Sequence, residues 1–122
     1  MSNQIPPWLQ EQIKAYQQTQ GNLQGMMAQM QQVEAERLDA ERAIEELQKA
    51  SDEDVVYKQA GSILIKSDRK TLTDDLEERQ ELAKTRVMVL EKQKKRLEET
   101  LREQEAKINA AIKGGSVGPS GN

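Results

Sequence analysis

The stretch Val55–Lys66, Val-Val-Tyr-Lys-Gln-Ala-Gly-Ser-Ile-Leu-Ile-Lys, is the one place where this chain stops reading as helix. Two β-branched or aromatic runs, Val55–Tyr57 and Ile63–Ile65, flank a single glycine, Gly61, which tolerates the positive φ of a tight turn. The pattern predicts a short β-hairpin. Its turn is either Ala60-Gly61 or Gly61-Ser62, and that choice assigns each strand side chain to one face or the other. Six sizeable apolar side chains, Val55, Val56, Tyr57, Ile63, Leu64 and Ile65, fall within eleven residues, although a short polar loop would reverse the chain equally well. A hairpin this small is marginal in water and leaves unpaired backbone groups along both edges. These six residues are therefore expected to form an oligomerisation surface, completed by strands from other chains.

Composition agrees that the rest is not an ordinary globular domain. Of 122 residues, 32% are charged, 35% hydrophobic and 2% aromatic, with no Phe and three Pro. An excess of Glu, Lys, Gln, Arg, Leu and Ala at helical spacing is the mark of long helices or coiled coil. Disorder is the competing expectation for so polar a chain, but the regular aliphatic spacing over residues 8–112 opposes it. The net charge of −3 gives no field for nucleic acid. With no Cys and no His there is no disulfide, thiol nucleophile, imidazole base or His/Cys metal site. No cofactor is expected. The longest aliphatic run is four residues, Val87–Leu90, too short to cross a membrane. Met1–Leu9 lacks the basic and apolar regions of a signal peptide, so a cytoplasmic protein is expected.

Outward from the hairpin, the chain divides into a frayed start (1–5), a helix (6–50), the hairpin segment (51–68), a second helix (69–113) and a disordered tail (114–122). Pro6-Pro7 suits a helix start, where a missing N–H is not needed. Seam positions then recur at Leu9, Ile13, Tyr16, Leu23, Met27 and Met30, with Gln20 in one slot, alternating steps of four and three. After Met30 the phase slips, because Val33 follows at three where four is due. Arg37, Ala40, Ile44 and Leu47 restore it. Gly21 and Gly25 each weaken this helix by about 1 kcal/mol relative to Ala. The second helix carries Leu72, Leu76, Ala83, Val87, Leu90, Leu97, Leu101, Ile108 and Ile112, with Arg79, Lys94 and Gln104 in the other slots. Ser67-Asp68 offers its N-cap.

Folding the two helices back about the hairpin places residues whose numbers sum to near 120 opposite one another. Ile44 then faces Leu76, Val33 faces Val87, Leu23 faces Leu97 and Leu9 faces Ile112, apolar against apolar. An antiparallel two-helix coiled coil satisfies both stripes at once. A parallel homodimer would also satisfy them.

The charged residues give no catalytic constellation. Pairs such as Asp74/Asp75 and Glu98/Glu99 lie on helix faces with no concave pocket to desolvate them, so their acidities have no cause to move. The cations Lys92, Lys94, Lys95 and Arg96 alternate with Glu91, Glu98 and Glu99 and have no aromatic neighbours to stack on bases. Neither an enzyme nor a nucleic-acid binder is expected. The outer ends of the helices differ. Residues 1–32 hold ten glutamines but only two charged side chains, Glu11 and Lys14. Met27 and Met30 read as seam, whereas Ile5, Pro7 and Trp8 at the extreme tip have little to pack on and make an exposed apolar contact site.

The motif Val-Tyr-Lys-x-x-Gly-x-x-Leu-Ile-Lys (Val56–Lys66), followed by Leu-Glu-Glu-Arg (Leu76–Arg79) between two helices of equal length, resembles the β-type subunit of archaeal prefoldin over residues 6–113. The β-type has one hairpin where the α-type has two. The resemblance implies a subunit of an ATP-independent chaperone built of two α-type and four β-type chains. It implies that the hairpins join an intersubunit β-barrel from which the coiled coils project. It also implies that unfolded client proteins are held at the tips and passed to a group II chaperonin. Carried onto this chain, the tip surface would be Ile5, Pro7, Trp8, Leu9, Ile13, Ile108, Ala111 and Ile112. The alternative is a structural coiled-coil adapter that docks specific folded partners along its helices.

Overall fold

The computed structural model describes residues 5–114, so the expected frayed start and disordered tail lie almost wholly outside the described residues. The element order is α1 (Pro7–Lys49), β1 (Val56–Ala60), β2 (Ile63–Ser67) and α2 (Arg69–Lys113). Pro7 opens α1 without needing a partner for an N–H. The Pro6 carbonyl accepts from the amides of Leu9 and Gln10, each at 3.0 Å. Where α1 ends, Ser51–Asp54 make a turn from their own polar groups. The Ser51 N–H donates to the Asp54 carboxylate at 2.8 Å, and the Glu53 N–H donates to the Ser51 hydroxyl at 3.2 Å.

Asp68 supplies the cap of α2. Its carboxylate accepts from the Thr71 N–H at 2.8 Å and from the Thr71 hydroxyl at 2.9 Å. Those bonds, led by the one from the backbone, favour the ionised form and hold the pKa of the Asp68 carboxyl below its ordinary value. A depressed folded-state value means that the cap stabilises fully above the unfolded carboxylate pKa and is lost as pH falls through the folded one. Asp68→Ala is therefore expected to lower the melting temperature at neutral pH, with the gap to the parent closing in acid. Melting curves followed by circular dichroism across that range check this; a gap independent of pH would contradict it.

The strands pair antiparallel, Val56 with Ser67, Tyr57 with Lys66, Lys58 with Ile65, Gln59 with Leu64 and Ala60 with Ile63. Gly61-Ser62 is thus the two-residue turn. Gly61 has φ 63° and among the described residues no non-glycine residue has positive φ, the pattern of a type II′ turn with glycine at its first central position. The register places Val56, Lys58, Ile63 and Ile65 on one face and Tyr57, Gln59, Leu64 and Lys66 on the other.

The helical segments fall into two compact units. One is Met1–Gln29 with Leu90–Asn122, described over residues 5–29 and 90–114, and the other is Met30–Val89. In the first unit the paired segments run antiparallel. Ile13, Tyr16 and Gln20 line one groove with Glu105 and Ile108, and Asn22 and Met26 line another with Gln93 and Leu97. The Tyr16 hydroxyl reaches the Glu105 carboxylate at 3.4 Å. In the second unit the hairpin reverses the chain, and Arg69 at the start of α2 pairs with Asp52 at 3.1 Å.

Burial corrects the expected seam in detail. Gln20, Met27, Arg79 and Ile112 are exposed, and Thr19, Met26, Gln80 and Ala111 are the buried or half-buried residues in their places. The inward phase of α1 runs Thr19, Leu23, Met26, Met30, Val33, Arg37, Ala40 in alternating steps of four and three. The slip expected after Met30 is therefore absent there and falls between Ile13, Tyr16 and Thr19, where a step of three follows another. The physical reason is angular. One residue along a helix is a rotation of about 100°, so the burial of Val33 determines which of two adjacent residues a turn away can face inward. The Thr19 hydroxyl, buried by this phase, donates to the Ala15 carbonyl at 3.0 Å and so carries no unmet polarity. Arg37 keeps its seam slot half-buried because Glu34 and Glu41 neutralise it. The hydrogen bond between Glu34 and Arg37 raises the pKa of the guanidinium and lowers that of the Glu34 carboxyl, and the charge of Glu41 adds to the rise at Arg37.

Gly21 and Gly25 lie on the exposed side of unbroken helix, and a methyl group added at either would meet nothing within 4 Å. Replacing each with alanine is expected to stabilise α1 by roughly 0.5–1 kcal/mol, because only backbone freedom in the unfolded chain changes. An unchanged or lower melting temperature for the double variant would show that the glycines have a role in the folded state.

Candidate functional site

Two surfaces stand out by exposed apolar area. The first is the hairpin. Val55, Tyr57, Ile63, Leu64 and Ile65 are between 49% and 67% exposed, on both faces of a two-stranded ribbon whose outer edges pair with nothing among the described residues. Val56 alone of the six predicted residues is half-covered. Lys58, on the same face, pairs with Asp75 of α2 at 3.5 Å, so this face leans on the helix at its base and is bare towards its turn.

The second is the free end of the first unit. Trp8 is 51% exposed and Ile112 55%, with Ile5 and Pro7 also exposed. Of the other predicted tip residues, Leu9 and Ala111 are buried in the seam, and Ile13 and Ile108 are half-buried beside a groove. The eight residues thus have two parts. Leu9 and Ala111 hold the helix ends together. Trp8 and Ile112, one residue away in sequence and about 100° round the helix, are thereby turned outward.

A third set is not evident from the heptad pattern. Leu82, Met88 and Val89 are exposed on α2, with Leu38 on α1. Their signal in the sequence is that of aliphatic residues outside the alternation of four and three, but in a heptad reading such residues pass for noise.

The described residues thus form a two-helix chain with a single central hairpin, bare of cover at the hairpin and at the helix ends. The family model described as Prefoldin subunit matches residues 10–115, nearly the whole chain, and the chain belongs to that family. The family is one of chaperone subunits and not a known enzyme family. Within it the likeness is to β subunits. The chain is 35% identical over 121 residues to the prefoldin subunit beta of Methanothrix thermoacetophila, covering 99% of each chain. It is 38% identical over 105 residues to that of Archaeoglobus fulgidus, covering 86% of this chain and 90% of the other. The crystal structure of the prefoldin beta subunit from Thermococcus strain KS-1 superposes with a TM-score of 0.79 at 33% identity, covering 89% of this chain and 96% of that one. The mainly helical fold with two long helices about one hairpin is shared with that structure.

Proposed function

We propose that the chain is one subunit of a hetero-oligomeric, ATP-independent holdase, assembled through its hairpin and binding unfolded polypeptides at its helix ends. Two α-type and four β-type chains, this one among the latter, would join their hairpins in a β-barrel in the cytoplasm. The client surface is Ile5, Pro7, Trp8 and Ile112, flanked by the half-buried Ile13 and Ile108. Leu9 and Ala111 support it from the seam. The observation that carries the proposal is the pairing of two bare apolar surfaces, strand edges at one place and unpartnered tryptophan and isoleucine at another, within a family of chaperone subunits. No single apolar contact of this kind is strong. Several tips engaging one extended chain convert weak contacts into useful retention, and their reversibility suits transfer to a group II chaperonin.

The test is suppression of aggregation. The assembled chain, mixed with a denatured client as the denaturant is diluted out, is expected to hold light scattering down without nucleotide. A structural adapter would leave the scattering unchanged and instead bind one folded partner saturably, and that result would overturn the proposal.

A further inference from the structure

The ribbon joins α2 at a tight corner. β2 ends at Ser67 and α2 begins at Arg69, so Asp68 alone connects them, whereas β1 is entered through the longer polar turn that starts at Ser51. A one-residue connection fixes where the ribbon starts but leaves its tilt about that corner to side chains. The Lys58 ammonium lies 3.5 Å from the Asp75 carboxylate, and among the described residues no other ion pair or side-chain hydrogen bond runs from a strand to α2. Lys58 pairs with Ile65, about 7 Å up the ribbon from the corner. Asp75 is the seventh residue of α2, about 9 Å along the helix. The ion pair is thus the third side of a small triangle whose apex is Asp68. Its two side chains are 42% and 40% exposed, covered enough to be held and open enough to feel salt. The other pair at the corner, Arg69 with Asp52, bears on the corner itself and not on the ribbon.

We propose that Lys58 and Asp75 are a positioning pair that sets the tilt of the ribbon for assembly, and that ionic strength tunes assembly through them. The inference rests on the hairpin being the joint between subunits. Lys58 shares its ribbon face with Ile63 and Ile65, so a tilt fixed at Lys58 fixes where those two isoleucines are offered. An untethered ribbon reaches the same contacts only after losing its freedom to swing. That loss weakens association although no contact between subunits has been removed. The effect at each joint is modest, because a pair this exposed changes an equilibrium by about fivefold at most. It fades near 1 M salt, where charges are screened within roughly 3 Å.

Tilt and assembly are measured separately. The sequence has no cysteine, so spin labels at Ser62→Cys and Glu77→Cys of the full chain report the distance from the turn to α2. In dilute, dissociated chain that distance is expected to be narrowly distributed for the parent and broad for Asp75→Asn. It is expected to be narrow again for Lys58→Glu/Asp75→Lys, where the charges are exchanged. Sedimentation of the unlabelled full chain, assembled with an α-type subunit, follows the same series. The concentration at which half the assembly has dissociated is expected to rise about threefold with Asp75→Asn and to be restored by the exchange. The gap between parent and Asp75→Asn is expected to close at high salt. Asp74→Asn removes a neighbouring charge that pairs with Lys70 on its own helix, and is expected to change neither measurement. A distance distribution that Asp75→Asn leaves narrow, or that Asp74→Asn broadens equally, would overturn the positioning pair. A broadened distance with unchanged dissociation, or a weakening that the exchanged pair does not restore, would overturn its part in assembly. If no mixture assembles, joining at the hairpin fails and the tuning by salt fails with it, while the distances still decide whether the pair sets the tilt.

Discussion

Ile63→Lys with Ile65→Lys is expected to reduce the assembly to separate chains while leaving the helices intact. Both isoleucines lie on one face of the ribbon, toward its turn, and are 58% and 49% exposed in the isolated chain. They therefore contribute little to the fold of a single subunit. In a β-barrel shared between subunits each would be covered, which is worth roughly 1.5–3 kcal/mol for a side chain of that size. Lysine at those positions removes that gain and places two ammonium groups where water is excluded, at a cost of several kcal/mol more unless they are paired. The effect repeats in every copy, so the outcome is all-or-none. Analytical ultracentrifugation should show loss of the oligomer, and the far-ultraviolet circular dichroism should stay close to that of the parent. An unchanged sedimentation profile would mean that the hairpin is not the joint. Helicity falling with the oligomer would instead place Ile63 and Ile65 in the fold of the single chain.

Ile5→Ser, Trp8→Ser and Ile112→Ser together are expected to weaken protection of an aggregating client sharply while the assembly keeps its mass. The three residues are exposed, whereas Leu9 and Ala111 are buried and left untouched, so the helix ends should remain paired. Each replaced side chain offers a client on the order of 1 kcal/mol or more of apolar contact. Because retention depends on several tips holding one polypeptide at once, small losses at each multiply, and the amount of chaperone needed should rise by about tenfold or more. Light scattering with a denatured client measures this directly. Full protection by the triple variant, in an oligomer of native mass, would remove these residues from the client surface. Leu9→Ser is the instructive contrast. It is expected to lower thermal stability, because it puts a hydroxyl into a position that is 1% exposed.

Much of this molecule is legible in its sequence, and for identifiable reasons. The hairpin announces itself because β-branched and aromatic residues about one glycine have a different period from the helices on either side, and period survives translation into structure better than any single residue preference. The polar run Ser51–Asp54 and the capping Asp68 are equally plain, since their bonds are to neighbours in sequence. The bare state of Ile5 and Trp8 follows from their position beyond the last seam residue.

Three other features are decided only in three dimensions. The turn could be either Ala60-Gly61 or Gly61-Ser62 by composition, and the pairing of Ala60 with Ile63 selects the second. Which of two adjacent residues faces the seam depends on the partner helix. Thr19 displaces Gln20 and Ala111 displaces Ile112 because the helices meet in one phase that no local pattern contains. A groove in the Met30–Val89 unit, lined by Glu36 and Asp39 of α1 and by Arg79 and Arg86 of α2, draws its residues from two helices some forty positions apart, a juxtaposition that a heptad diagram cannot display. Periodicity belongs to one helix and is written along the chain. Phase, register and facing charge are relations between two segments, and those exist only once the chain has folded back on itself.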